Sequence, residues 1–188
     1  MAVKKIIDKA TPRRAKKSDS AKTSNILPKA ATTASGLAAG AKAPAFTLPR
    51  DGGGTVSLKD FAGRKLVLYF YPRADTPGCT KESIDFSRLK AAFARAGADV
   101  LGVSADAVSA QDAFKAKHKL AIALGSDESR KMLEAYGVWQ EKSLYGRKFF
   151  GIVRSTFLIG PDQRVAQVWP RVSVDGHADE VLAAVKAL

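Results

Sequence analysis

The sequence predicts a mixed α/β protein with one globular domain. Short apolar runs that suit strands alternate with longer stretches that suit helices, a pattern typical of βαβ units. The turn-rich residues 160–163 separate two further strand patterns, which indicates an antiparallel hairpin late in the chain. A length of 188 residues with 46% apolar residues is enough for one hydrophobic core. We therefore expect a mixed central sheet flanked by helices.

The first predicted elements are a strand, a helix and a second strand. Residues 66–71 are continuously apolar, as in a strand buried on both faces, and Pro72 ends the run. Residues 79–96 follow as a helix, and Gly97 suits its end. The apolar face of this helix is formed by Phe86, Leu89 and Phe93. The second strand covers residues 99–104.

The remaining elements continue the alternation and then close with the hairpin. In order, they are a helix over 107–118, a short strand over 122–124, a helix over 127–136, hairpin strands over 155–159 and 164–169, and a last helix over 178–188.

The single cysteine excludes several protein classes. One cysteine forbids an intramolecular disulfide, a C-x-x-C redox pair and a cysteine-rich zinc site. With only two histidines besides, a tetrahedral metal site would be hard to build, and we predict neither a metal nor a cofactor. No apolar run reaches the length of about 18 residues that a membrane-spanning helix requires. We therefore expect no membrane contact.

The net charge of +13 is concentrated at the amino terminus. Residues 1–42 contain ten Lys and Arg residues and two Asp residues, which gives +8, so the remaining chain contributes +5. This first segment lacks aromatic residues and has only scattered aliphatic ones, too few to offset the entropy cost of ordering. We therefore predict a basic, disordered extension over 1–39 and one domain over 40–188.

The purpose of the extension has three interpretations. A flexible polycation attracts polyanions, so residues 1–39 could make nonspecific contacts with nucleic acid. A solvated extension without a partner is an equal alternative, because charge alone does not identify a partner. A transit peptide is the third interpretation, although this segment has more Lys than Arg and contains two Asp residues. We expect a cytoplasmic protein, associated with the nucleoid under the first interpretation or in an organelle under the third.

Cys79 is predicted at a position that favours chemical reactivity. It follows a buried strand and a rigid turn containing Pro77 and Gly78, and it opens the first helix. Helix amino termini carry partial positive charge and free N–H groups, which favour a thiolate over a thiol. The alternative is a small buried cysteine with a packing role. The turn context favours the reactive interpretation.

The segment 70–82 resembles the active-site segment of peroxiredoxins. Their signature is Pro, three residues, Thr or Ser, two residues and Cys, which Pro72, Thr76 and Cys79 match. The form Thr-Pro-Gly-Cys-Thr, with Glu82 three residues after the cysteine, is similar to the bacterioferritin-comigratory-protein (peroxiredoxin Q) subfamily. Further matches in the family's order are Gly102-Val103-Ser104 with Asp106, Ser126-Asp127, Tyr136-Gly137-Val138-Trp139, Tyr145-Gly146, Arg154-Ser155-Thr156-Phe157-Leu158-Ile159 and Gly176-His177-Ala178.

The resemblance implies a thioredoxin-like fold and a thiol-dependent peroxidase. Such enzymes reduce hydrogen peroxide or organic hydroperoxides through a cysteine sulfenic acid. By this resemblance Cys79 is the peroxidatic cysteine, and Thr76 accepts from the thiol or donates to the peroxide. Arg154 favours the thiolate and donates to the transition state, and Pro72 shields the sulfur from water. Glu82 has a supporting role, either as a group at the helix amino terminus or by orienting Arg154.

The chain departs from the family pattern at the second cysteine. Many subfamily members carry a resolving cysteine five residues after the first, where this chain has Ile84, and others carry it in a later helix. Intramolecular resolution is therefore impossible, and a thiol from glutathione, a glutaredoxin, a thioredoxin or a second chain must react with oxidised Cys79. A natural loss and an engineered substitution are equally compatible with the sequence. We expect a monomer or weak dimer.

Other enzyme classes have less support. A Cys/His hydrolase needs a histidine base, but neither His118 nor His177 lies in such a motif. His118 is predicted near a helix end and His177 near the start of the last helix. A general thiol-disulfide oxidoreductase would carry C-x-x-C, which is absent, and nothing in the sequence tests a chaperone role.

Overall fold

The computed structural model describes residues 1–2, 36–144 and 146–188, and the side chain of Leu144 is not described. Its main sheet has five strands in the order β5-β4-β3-β8-β9. The main-sheet strands are β3 (Lys65–Phe70), β4 (Ala98–Ser104), β5 (Ala123–Ser126), β8 (Ser155–Ile159) and β9 (Val165–Trp169), and the helices are α1 (Pro77–Arg95), α2 (Val108–His118), α3 (Lys131–Ala135) and α4 (His177–Ala187). The predicted mixed α/β fold is confirmed.

The central strand β3 separates two hydrophobic clusters. Its side chains alternate, so that Leu66, Leu68 and Phe70 pack on one face while Val67 and Tyr69 pack on the other. Helices α1, α2 and α4 cover the Val67 face, and α3 with the amino-terminal strands covers the Leu66 face. Coverage of both faces explains why this strand is apolar at every position.

The pairing of β3 places two distant segments side by side. It runs parallel to β4 but antiparallel to β8, with Phe70 opposite Ser155. The end of β3 therefore lies beside the start of β8, although 85 positions separate those two residues in the sequence. Residues just after β3 and just before β8 are brought to one edge of the sheet.

Two short hairpins were not predicted from the sequence. The first joins β1 (Thr47–Pro49) to β2 (Thr55–Ser57), and the second joins β6 (Trp139–Leu144) to β7 (Arg147–Ile152). Strands of three residues give too short a pattern to detect, and neither β6 (WQEKSL) nor β7 (RKFFGI) shows a regular alternation of apolar and polar residues. Their stability comes from backbone pairing, which carries no clear sequence signal.

Several predicted boundaries were wrong by a few residues. Helix α1 begins at Pro77 rather than at residue 79, because proline is favoured at the first helical position. The strand predicted over 122–124 is β5, Ala123–Ser126, and the helix predicted over 127–136 is only Lys131–Ala135. Asp127 explains the shorter helix, because its carboxylate accepts from the backbone N–H of Leu133 and holds the preceding residues in a turn. The predicted late hairpin is present as β8 and β9.

The predicted extension lies almost entirely outside the described residues, since positions 3–35 are not described. Within the part of the chain that is described, no helix combines the length and apolar character needed to cross a membrane.

Candidate active site

Cys79 lies in the first turn of α1. Thr76 is the N-cap, Pro77 begins the helix and Cys79 is its third residue, with 1% of its surface exposed. The thiol therefore faces inward from the end of the helix where N–H groups are free of intrahelical partners. This placement agrees with the position predicted from the turn and helix pattern.

Arg154 reaches the sulfur from the residue just before β8. Its Nη2 donates to Cys79 Sγ over 3.3 Å. Among the described residues, this is the one side-chain hydrogen bond to that sulfur. A guanidinium N–H that donates to sulfur stabilises its anionic form. Residues 75 positions apart in the sequence thus meet because β8 is antiparallel to β3.

Glu82 holds the other side of the Arg154 guanidinium. Arg154 Nη1 donates to Glu82 Oε2, and Glu82 is 1% exposed. Burial raises the pKa of Glu82 to about 7, against the opposing effect of Arg154. Burial also works against the charge of Arg154, but Glu82 and Cys79 outweigh it and hold the pKa of the guanidinium above its usual value. The contact fits the predicted orienting role of Glu82 and not a role at the helix terminus.

Gly78 makes room for the Arg154 guanidinium. This role of Gly78 was not predicted from the sequence. A Cβ at this position would lie 3.3 Å from Arg154 Nη2, closer than most real Cβ contacts. Any larger residue would press on the nitrogen that bonds to Cys79. The sequence signal was present in the Pro-Gly pair, but it was interpreted only as a turn.

Three hydrogen bonds to aspartate carboxylates fix the loop between β3 and α1. The Ala74 N–H donates to Asp106 Oδ2 over 2.7 Å. Asp75 has a positive φ of 59°, and its carboxylate bonds to Lys117 and His118 at 2.6 Å each. The Asp75 pKa lies below its usual value because of these two partners. His118, predicted at a helix end, is the last residue of α2 and ties that helix to the loop.

Thr76 and Pro72 lie in this loop, but their predicted roles are not visible as contacts. The Thr76 hydroxyl donates to the carbonyl oxygen of Arg73 over 3.0 Å. Pro72 is exposed, two residues beyond the end of β3. Their roles toward the peroxide stay predictions.

Buried hydrogen bonds connect α1 and α2 to the central strands. Tyr69 Oη bonds to Ser83 Oγ over 2.8 Å, and the Tyr71 hydroxyl donates to Gln111 Oε1. Gln111 Nε2 in turn donates to Ser104 Oγ over 2.7 Å. Burial raises the pKa of both tyrosines, so they stay neutral donors. The Ser83 bond fixes α1 on the sheet below Cys79, and the Gln111 bonds fix α2 beside it.

His177 is buried beneath the same region. As the first residue of α4 it bonds through Nε2 to Thr156 Oγ1 over 2.8 Å, and it contacts the rings of Phe86 and Trp169 edge-on. Burial lowers the pKa of His177 to about 4, with Arg154 adding to the effect and Glu180 opposing it. The predicted position at the start of the last helix is correct, and the side chain packs in the core.

A polar pocket of about 460 Å³ adjoins Arg154 on the side of the β6–β7 hairpin. It is lined by residues 140–143, 153–154 and 171–172, including Lys142 and Arg171. Neither cation was predicted as a site residue from the sequence, because the hairpin that positions Lys142 was not predicted. No cluster of three or more His, Cys, Asp or Glu side chains suited to a metal occurs among residues 36–144 and 146–188.

Comparison with known proteins identifies the family. The model of the AhpC/TSA family matches residues 39–168. The chain belongs to the AhpC/TSA family. It is 48% identical to peroxiredoxin Bcp of Xanthomonas campestris over 147 residues, which is 77% of this chain and 92% of that protein. It is 43% identical to peroxiredoxin Bcp of Bacillus subtilis over 147 residues, with 78% and 94% covered.

Solved structures of related peroxiredoxins share the fold. Xanthomonas campestris peroxiredoxin Q superposes with a TM-score of 0.75 at 46% identity, covering 79% of this chain and 97% of that chain. Mycobacterium tuberculosis AhpC gives a TM-score of 0.69 at 27% identity. This family member is thus a thiol-dependent peroxidase with the thioredoxin-like fold of peroxiredoxins. Two Xanthomonas structures carry a cysteine-to-serine substitution at different cysteines, whereas this chain has one cysteine.

Proposed function

We propose that Cys79 reduces hydrogen peroxide and organic hydroperoxides and is then regenerated by a thiol from another molecule. The observation that carries the proposal is the contact of one guanidinium with both Cys79 Sγ and the buried Glu82 carboxylate. One related structure is described as that of the Xanthomonas bacterioferritin comigratory protein in alkyl peroxide reduction, which supports organic hydroperoxides as substrates.

The first step is attack of the Cys79 thiolate on one peroxide oxygen. A sulfur–oxygen bond forms and the oxygen–oxygen bond breaks, which leaves a cysteine sulfenic acid and an alkoxide or hydroxide. The leaving oxygen takes up a proton and departs as alcohol or water. Arg154 is placed to donate to the peroxide oxygens as negative charge moves from sulfur to oxygen, and Glu82 keeps it in position.

Thr76 and Pro72 complete the proposed catalytic group. Thr76 is three residues from Cys79 across the first helical turn, so its hydroxyl can turn from the Arg73 carbonyl toward a bound peroxide. Pro72 covers the approach to the sulfur and limits water access to the thiolate. Both roles are supported by the match of these residues to the family motif.

The second step requires an external thiol. The sulfenic acid at Cys79 condenses with that thiol to a mixed disulfide and water, and a further thiol releases reduced Cys79. The chain has no other cysteine to serve as resolving residue. Glutathione, a glutaredoxin, a thioredoxin or Cys79 of a second chain can supply the thiol.

A steady-state assay of peroxide consumption tests this function. Thioredoxin, glutaredoxin and glutathione systems are compared in parallel, each with hydrogen peroxide and with cumene hydroperoxide. We expect turnover with at least one thiol system and none after Cys79→Ser. Peroxide consumption retained by Cys79→Ser at the rate of the unchanged chain would refute the proposal.

A second proposal concerns the basic extension, because residues 1–39 carry +7 of the net charge of +13. We propose that residues 1–39 bind nucleic acid nonspecifically and keep a cytoplasmic enzyme near the nucleoid. Binding of double-stranded DNA by the full chain should weaken as salt rises and should be lost in a chain that begins at residue 40. Equal binding by both chains would exclude a role for the extension.

A further inference from the structure

We propose that the pocket beside Arg154 binds the carboxylate of the small thiol that regenerates Cys79. The inference rests on the proposed function, because it assigns the partner in the second step. Lys142 and Arg171 are its anion-binding residues, and a carboxylate-bearing thiol is the class of reductant that they select.

The pocket and the reactive sulfur share one side chain. Arg154 lines the pocket and donates to Cys79 Sγ over 3.3 Å. Its backbone carbonyl also accepts from the N–H of Val172 over 3.0 Å, which ties the segment carrying Arg171 to the site. A molecule in this pocket therefore lies beside the residue whose guanidinium contacts the sulfur. A volume of about 460 Å³ suits a small-molecule ligand.

The charges in the pocket leave two cations uncompensated. Arg154 pairs with Glu82, and the one carboxylate of the pocket lining, Glu141, pairs with Lys148 over 2.9 Å. Within the described part of the chain, neither Lys142 nor Arg171 forms an ion pair with a carboxylate. An anion bound between them would supply the missing negative charge.

The charged form of Lys142 is disfavoured inside the pocket, and a bound anion would stabilise it. It is partly buried, and its Nζ donates to the carbonyl oxygen of Ile152. Burial lowers its pKa, and repulsion from Arg154 and Arg171 adds to the effect. Lys142, Arg154 and Arg171 line the same pocket, and a pocket lined by three cations is the arrangement expected of an anion site.

The composition of the pocket favours a small polar reactant over a long alkyl hydroperoxide. Residues 140–143 contribute a glutamine, a glutamate, a lysine and a serine, while Val153 and Val172 are the aliphatic residues of the lining. A fatty hydroperoxide would need a longer apolar wall for its chain. A small thiol is a required reactant in any case, because the chain has one cysteine.

The chemical step assigned to this complex balances with the named reactants. The sulfur of the bound thiol attacks the sulfenic sulfur of Cys79, a disulfide bond forms and the sulfur–oxygen bond breaks. The hydroxide leaves with the thiol proton as water. A second thiol then attacks the mixed disulfide, which returns Cys79 as a thiol and releases the disulfide of the reductant.

The test compares three thiols of equal length and different charge. The full chain is oxidised with one equivalent of hydrogen peroxide and then mixed with 3-mercaptopropionate, 2-mercaptoethanol or cysteamine, and the mixed disulfide is timed by intact mass. Arg171→Gln should slow 3-mercaptopropionate about tenfold, leave 2-mercaptoethanol unchanged and speed cysteamine. For each thiol, the rate of mixed-disulfide formation in the unchanged chain is divided by the rate in the variant. This ratio cancels the intrinsic reactivity of that thiol.

Two further variants serve as controls. Arg171→Lys keeps the charge and should recover most of the rate with 3-mercaptopropionate. Arg95→Gln removes an equal charge about 24 Å from Cys79 along α1, and it should leave the rates with all three thiols unchanged. Added salt should reduce the preference for the carboxylate thiol in the unchanged chain.

The outcomes separate this inference from the proposed function. If hydrogen peroxide does not oxidise Cys79, the proposed function itself fails. If oxidation is normal and Arg171→Gln slows all three thiols equally or none, the carboxylate site is refuted while the peroxidase function stands. If Arg171→Gln instead affects only oxidation by a carboxylate-bearing hydroperoxide, such as linoleic acid hydroperoxide, the assignment to the thiol is wrong.

Discussion

The two sides of the Cys79 site differ in how they are built. On the α1 side, Cys79, Glu82 and Ser83 are buried, and hydrogen bonds join them to Arg154 and Tyr69. On the pocket side, Arg171 is exposed and lies next to a hairpin outside the main sheet. The α1 side holds Cys79 and Arg154 in place through buried contacts. The pocket side is open to a reactant that must enter and leave.

This difference suggests a division between the two half-reactions. Changes on the α1 side that remove a buried partner, such as Arg154 or Glu82, should alter the reaction with peroxide and the stability of the fold together, because the same bonds serve both. Changes on the pocket side should alter the thiol step and leave stability nearly unchanged.

Removing the Arg154 charge should give the largest effect. Arg154→Gln should slow oxidation of Cys79 by hydrogen peroxide about 100-fold to 1000-fold, as loss of one transition-state donor does in other enzymes. It should also lower the free energy of unfolding by about 3 kcal/mol, because Glu82 is left buried without its partner. Rapid mixing and urea unfolding measure the two effects.

A double variant separates catalysis from stability at this position. Adding Glu82→Gln to Arg154→Gln should recover much of the stability and none of the rate. Recovery of the rate along with the stability would mean that Arg154 acts only through the fold, which would contradict its proposed donor role.

Two buried groups on the α1 side should give opposite pH dependences of stability. The pKa of His177 is lowered to about 4, so its contribution to stability is present above about pH 6.5 and is lost as pH falls toward 4. The pKa of Glu82 is raised to about 7, so its contribution is present below about pH 4.5 and is lost as pH rises through 7. The two dependences largely cancel in the unchanged chain.

Replacing one of these two groups should therefore expose the pH dependence of stability that the other group causes. Between pH 7 and 4.5, His177→Gln should gain stability relative to the unchanged chain as pH falls, by on the order of 3 kcal/mol, and Glu82→Gln should lose it. Urea unfolding at several pH values gives both curves. Parallel curves of unfolding free energy against pH for all three chains would show that neither pKa is shifted by burial in the folded protein.

Gly78→Ala should give a smaller and more selective effect. The added methyl group presses on Arg154 Nη2 at 3.3 Å, so oxidation of Cys79 should slow about tenfold with little change in stability. Gly151→Ala is the matched control for the oxidation rate. Its methyl group would meet Cδ of Lys142 at an ordinary 3.6 Å and does not approach Arg154. An equal rate for the Gly78→Ala variant and the unchanged chain would show that Arg154 does not need its present position.

The sequence predicted the α1 side better than the pocket side for physical reasons. The apolar run before Pro72 and the Pro-Gly turn identified the strand, loop and helix that carry Cys79, because local pattern determines such elements. The contact with Arg154 was implied by family resemblance, and residue periodicity could not have placed it. It depends on the antiparallel pairing of β8 with β3, which is a long-range property.

The missed features share the same long-range origin. The β6–β7 hairpin shows no regular alternation of apolar and polar residues, so nothing in the sequence predicted that Lys142 and Arg171 would line one pocket. His177 was placed correctly at the start of α4, but its burial against Phe86 and Trp169 follows from packing between elements distant in sequence.

The most direct test of the central claim is the rate at which hydrogen peroxide oxidises Cys79. Rapid mixing of the full chain with peroxide, followed by intact mass, measures that rate without any reductant. The Arg154 contact predicts a rate constant orders of magnitude above that of free cysteine, with one oxygen added to the chain and none added after Cys79→Ser. A rate equal to that of free cysteine would contradict the claim that Cys79 and Arg154 form a peroxide-reducing site.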